Sequence, residues 1–147
     1  MSFLSWKEEL SVDIAAVDEE HRILVDHLNK LYDAMAARST KEVVLSTLGD
    51  FVESSRKHFT HEEKIMSESG YPGYLAHIIE HETLTRRINE LKDDVKSGKR
   101  TVDLEVMHFL KEWLQSHILN KDMAIGSYLN EQGRNSPQPQ ASRLPLP

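Results

Sequence analysis

The chain has 147 residues, a formal charge of −6, an isoelectric point near 5.7 and no cysteine. That length suits one domain with a continuous core, the missing cysteine removes disulfides, thiolate metal sites and thiol nucleophiles, and the negative charge argues against nucleic acid or an acidic lipid surface as partner. No basic start leads into an apolar run, and no apolar stretch approaches the roughly 18 residues of a membrane span. The expectation is a cytoplasmic protein with no membrane insertion.

Residues 1–17 carry Trp6, Leu10, Val12, Ile14 and Val17 without sustained helical period and read as an extended arm laid on the rest of the chain. Asp18 is a candidate cap for a first helix, along which Val17, His21, Leu24, Leu28, Leu31 and Met35 recur at steps of three or four. Ser39 to Glu42 form a capping-box pattern, with the Ser39 side chain accepting from the backbone of Glu42. The second stripe then runs Val44, Leu48, Phe51, Ser55, His58, Glu62 and Ile65. Gly70, Pro72 and Gly73 break the pattern. A third helical face holds Tyr74, His77, His81, Leu84, Ile88, Leu91 and Val95, closing before Gly98.

The fourth, over residues 102–132, shows Val106, Leu110, Trp113 and His117, then Ala124 and Tyr128. No segment alternates with the period of a strand, and the connections near residues 39, 70 and 99 are short. The expected fold is therefore all-α, an up-down-up-down antiparallel four-helix bundle over residues 18–132. Residues 133–147, with four prolines, read as a disordered tail.

His77 and His81 stand four apart, on one face of a helix, where two imidazoles can reach one metal ion. Alone the spacing is weak, because eight histidines in 147 residues yield roughly 0.4 such pairs by chance. The set carries more weight. His21, His58, Glu62, His77, His81, His117 and Asp122 in one bundle core would leave imidazoles short of partners and desolvate two carboxylates, at several kcal/mol per ion. A cation removes that conflict. Seven donors exceed the four of a closed zinc site and suit two six-coordinate ions that share the carboxylates and keep a vacancy. Imidazole and carboxylate without thiolate suit iron, with zinc, manganese and copper left open by residue type.

Imidazoles must be neutral to ligate, so acid below roughly pH 6 is expected to favour metal loss. His117 and Asp122 are five apart, about 140° off a shared face of a regular helix. A helix irregularity is therefore expected between Ser116 and Met123. His27, His61 and His108 read as solvated.

Trp6, Ser11 with Val12, Asp18 and His21, then His58 and Phe59 with Glu62 and Glu63, Tyr71 with Pro72, the pair His77 and His81, and Trp113 and Leu114 with His117, Ile118 and Asp122 together resemble a hemerythrin. The likeness is greatest to the single-domain bacterial form and covers residues 6–131. It implies two iron ions joined by an oxo or hydroxo bridge, one held by His77, His81 and His117, the other by His21 and His58, with Glu62 and Asp122 bridging. It implies reversible O₂ binding at the iron with fewer protein ligands, in a pocket lined by Phe59, Trp113, Leu114 and Ile118.

Oxygen storage, delivery to an oxygen-using enzyme, or sensing are the roles such a protein would serve, with a monomer as the expected state. The alternatives are a di-iron enzyme acting on peroxide, nitric oxide or O₂, and an iron-buffering module. Five neutral imidazoles donate less negative charge than the carboxylate-rich sets of di-iron oxidases, which favours binding over oxidation. Those enzymes also use two Glu-x-x-His motifs, and here Glu105 to His108 is the only intact one.

Overall fold

The computed structural model describes residues 3–135, with side-chain surroundings given through residue 132. An arm with one 3₁₀ turn, Glu8–Leu10, leads into α1 (Ala15–Ala36), α2 (Lys41–Ser69) and α3 (Tyr74–Ser97). The fourth rod is α4 (Leu104–Ser116), a π-helical segment (His117–Asp122) and α5 (Met123–Asn135) in unbroken succession. Among the described residues there is no strand. α1 packs on α2 and α4, and α2 on α3, the neighbour contacts of an all-helical four-rod bundle. The last helix runs past Gly133, where the tail was expected to begin; residues 136–147 of that expected tail lie outside the described residues.

The stripes read from sequence are the buried faces. On α1, Val17, His21, Leu24, Leu28 and Leu31 are buried and Met35 is half-buried. On α2 the buried set includes Leu48, Phe51, Ser55, His58, Glu62 and Ile65. Each fully buried leucine adds roughly 1.5–3 kcal/mol relative to an exposed one, so the long inner faces, not helix propensity, hold the rods together. Ser55 fits such a face because its hydroxyl donates to the Phe51 carbonyl at 2.9 Å.

Two helix starts differ from the sequence reading. α1 begins at Ala15, so Asp18 sits inside the first turn and is not its cap. Its carboxylate reaches back instead, accepting from the Val12 amide at 2.8 Å and the Ser11 hydroxyl at 2.6 Å, which ties the arm to the helix. α2 is capped by Thr40, whose hydroxyl accepts from the Val43 amide at 3.3 Å, and not by Ser39. Adjacent Ser and Thr are both competent caps; the Ser39 amide closes the end of the first helix on the Ala34 carbonyl, and the second helix starts after Thr40.

The arm is anchored at three more points. Asn29 brackets the backbone of Leu4, accepting from its amide and donating to its carbonyl, each at 2.8 Å. The Phe3 ring stacks on Tyr32 at 4.5 Å. Gly126 of α5 lies so close to the arm that a Cβ there would stand 1.9 Å from the Val12 carbonyl oxygen. Leu4, Leu10, Val12 and Ile14 are buried as a result.

Candidate metal centre

All seven polar residues predicted from the stripes are brought together. His21 comes from α1, His58 and Glu62 from α2, His77 and His81 from α3, His117 and Asp122 from the π-helical segment, and none is more than 4% exposed. On α2 and α3 ordinary four-residue spacing aligns the pairs. In the fourth rod the alignment needs i→i+5 bonding, seen in the Met123 amide bonding the Ile118 carbonyl. Residues five apart then lie one above the other, with His117 Nε2 3.1 Å from Asp122 Oδ1. The irregularity expected between Ser116 and Met123 is this segment.

Each carboxylate divides its two oxygens between two groups of histidines. Glu62 Oε1 faces His77, His81 and His117 at 2.8, 2.9 and 3.6 Å, and its Oε2 faces His58 at 3.5 Å. Asp122 Oδ1 faces His77 at 3.2 Å and His117 at 3.1 Å, whereas its Oδ2 faces His21 at 2.8 Å and His58 at 3.5 Å. The donor atoms thus form two overlapping sets, one of Glu62, His77, His81, His117 and Asp122, the other of His21, His58, Glu62 and Asp122.

Without a cation the cluster is electrostatically frustrated. His21 Nε2 and His58 Nε2 stand 3.1 Å apart, Glu62 Oε2 is buried with no hydrogen-bond partner, and Asp122 Oδ1 and His117 Nε2, though 3.1 Å apart, are not aligned to bond each other. Protons are left to do the neutralising. Burial pulls His58 down, but hydrogen bonds to Asp122 and Glu20 and the charges of Glu62 and Asp122 outweigh it and push the imidazole up to about 10. Burial likewise opposes, and the same two carboxylates overcome it, for His77, at about 9, and for His117, well above its usual value. In return the imidazoles hold Glu62 and Asp122 below the usual carboxylate range despite the desolvation of both.

Three carboxylates to which the sequence assigned no role, Glu63 among them though part of the motif, steady the histidines from outside. Glu20 of α1 accepts from His58 Nδ1 of α2 at 2.8 Å, Glu63 of α2 from His81 Nδ1 of α3 at 2.9 Å, and Glu80 of α3 from His117 Nδ1 of the fourth rod at 3.1 Å. An ionised carboxylate only accepts, so each orients its imidazole with Nδ1–H outward and Nε2 inward, where Nε2 can ligate once its own proton has left. The signal was present: each of these glutamates is adjacent in sequence to a member of the cluster. A position next to a buried one sits about 100° around the helix, at the shoulder that faces the following helix. The series stops at the fourth rod, since His21 Nδ1 is buried without a partner.

His108 is exposed, as expected. His61 is not simply solvated: it is half-buried, and its Nδ1 donates to Glu20 at 2.6 Å.

Two aromatic rings pack on the cluster. Phe59, Trp113, Leu114 and Ile118 are all buried. The Phe59 ring lies flat on His81 at 4.0 Å, and Trp113 is parallel to His117 at 6.3 Å.

A family profile described as the hemerythrin HHE cation binding domain matches residues 12–129. The bacteriohemerythrin of Stenotrophomonas maltophilia strain R551-3 is 30% identical over 138 residues, covering 91% of this chain and 89% of that protein. That of Methylococcus capsulatus strain Bath is 29% identical over 133 residues, covering 88% and 99%. A solved wild-type hemerythrin superposes with a TM-score of 0.81 at 27% identity, covering 86% of this chain and 97% of the other. With residues 12–129 matched and the bundle shared, the chain belongs to the hemerythrin family.

Proposed function

We propose that this protein binds O₂ reversibly at a di-iron centre, with His77, His81 and His117 on one iron, His21 and His58 on the other, and Glu62 and Asp122 between them. The observation that carries the reading is the division of each carboxylate's oxygens between the two histidine groups, the disposition a bridging ligand needs. The donor set fits the metal as well. Its orphaned carboxylate oxygens and inward imidazole nitrogens are the groups a divalent cation satisfies. When bound, two ferrous ions supply the two electrons that O₂ accepts and returns on release.

The chain's own residues bias the site toward release. One donor set has four members against five in the other, so the position held by His21 and His58 has room for a small ligand. The seven donors are at most 4% exposed and Phe59, Trp113, Leu114 and Ile118 beside them in sequence are buried, and a dry site limits the proton delivery that would turn binding into oxidation. The imidazole-rich, carboxylate-poor set adds to this, since it stabilises high-valent metal poorly.

The test is anaerobic reduction, then air, with visible absorption followed and iron quantified. Two irons per chain and a colour that comes with O₂ and fades as the gas is withdrawn are expected. Sustained turnover of peroxide or nitric oxide would make the protein an enzyme; iron without either behaviour would leave a buffering role.

A further inference from the structure

Outer carboxylates hold two of the three imidazoles in one group, His81 and His117 but not His77, and one of the two in the other. In the other group His21 Nδ1 has no partner at all, so His58 is the one imidazole there that anything outside holds in place. Its holder is Glu20, and Glu20 is shared. Oε1 accepts from His58 Nδ1 at 2.8 Å while Oε2 accepts from His61 Nδ1 at 2.6 Å. His58 and His61 are three apart on α2, neighbours on its surface, so a single carboxylate from α1 spans both. His61 and Glu20 are only 24% and 28% exposed in their side chains, which shields the pair from competing water.

We propose that His61 is a positioning residue for the metal centre. By donating to Glu20 it pins that carboxylate, which in turn fixes the His58 ring with Nε2 directed at the donors of the two-histidine position. This rests on the assignment of His21 and His58 to one metal. A freely rotating Glu20 would leave His58 to find its own orientation at the position with the fewest donors, and outer partners of ligating histidines are worth about 10- to 100-fold in metal affinity. The consequence is selective: His61 governs retention of the second ion and leaves the first untouched.

The experiment loads the full chain with Co(II), whose absorption reports coordination, and counts ions retained under a graded chelator challenge. The wild-type chain is expected to hold two; if it does not, the di-iron reading fails before His61 is in question. His61→Ala should keep one ion at wild-type affinity and bind the other more weakly, by up to the roughly 10- to 100-fold that losing a direct outer partner costs. His61→Asn, whose amide nitrogen stands where the imidazole Nδ1 does, should restore the second ion. Glu20→Ala, which removes the carboxylate from both imidazoles, should weaken the same ion at least as much, and adding His61→Ala to it should cost nothing more, since His61 acts through that carboxylate. Helical content and melting of the metal-free variants serve as the folding control. Two ions at wild-type affinity in His61→Ala, equal weakening of both, failure of asparagine to rescue, or additive losses in the double variant would each overturn the proposal.

Discussion

At the residue scale the cluster makes metal and protons rivals for the same nitrogens. His58 and His77, held up to about 10 and 9 in the metal-free protein, must shed protons before they can ligate. Metal uptake therefore releases protons, and affinity should climb by up to about tenfold per pH unit for each proton displaced, from near neutrality toward pH 9. A Zn(II) competition titration at several pH values checks this. The sequence alone set the boundary near pH 6, from the ordinary imidazole value; the two buried carboxylates move it upward. The metal-free protein should respond in the other direction. An imidazole raised above its unfolded value adds stability that is complete below about pH 6.5 and lost as pH passes the folded value. Urea denaturation of the metal-free chain should give a lower midpoint at pH 10 than at pH 7, and an unchanged midpoint would contradict the charge balance described.

Leu114 tests the apolar lining at the same scale. It is fully buried beside the ligand-bearing segment, so Leu114→Ala should cost about 2–5 kcal/mol of stability and, under the proposed O₂-binding role, hasten decay of the oxygenated form by admitting water. The first shows in denaturant melts, the second as a faster loss of colour in air.

At the element scale two features stand out, the π-helical segment and the arm. A π segment stacks residues five apart but strains the regular ladder, and metal shared by His117 and Asp122 would offset that strain. Hydrogen exchange should accordingly slow over His117–Asp122 on metal loading, more than over the distal half of α1. The arm depends on a bare backbone at Gly126. With a Cβ there 1.9 Å from the Val12 oxygen, Gly126→Ala should push the arm away and lower stability by about 1–3 kcal/mol, although alanine is the better helix former.

The sequence revealed these elements unevenly, for physical reasons. His58 with Glu62 and His77 with His81 were legible because regular helices align positions four apart. The break near Asp122 was legible because five does not fit that period. The role of Asp18 was not: an acid near a helix start reads the same whether it caps its own helix or holds the preceding strand of chain. Glu20, Glu63 and Glu80 were hidden for a related reason. A glutamate on a helix shoulder looks like solvated charge until the register between neighbouring helices is known, and that register is a property of the packed bundle.

At the scale of the whole molecule the cluster is a cross-link among four rods. A ligand that binds only the folded chain stabilises it by about 4 kcal/mol when present at a thousandfold excess over its dissociation constant. Removing metal with a chelator should therefore lower the melting temperature by several degrees, whereas a melting temperature indifferent to chelator would deny the metal any structural share. The described residues contain no helix long and apolar enough to cross a membrane.

His21 and Asp122, 101 positions apart, meet at 2.8 Å. A ribosome must therefore have released nearly the entire bundle before the pocket exists, and a nascent chain missing its last rod has neither Asp122 nor His117 to offer. Such a chain keeps His21, His58, Glu62, His77 and His81 but lacks a member of each donor set, so a truncation before His117 should hold metal less tightly than the complete bundle, which a chelator competition on the two chains would read.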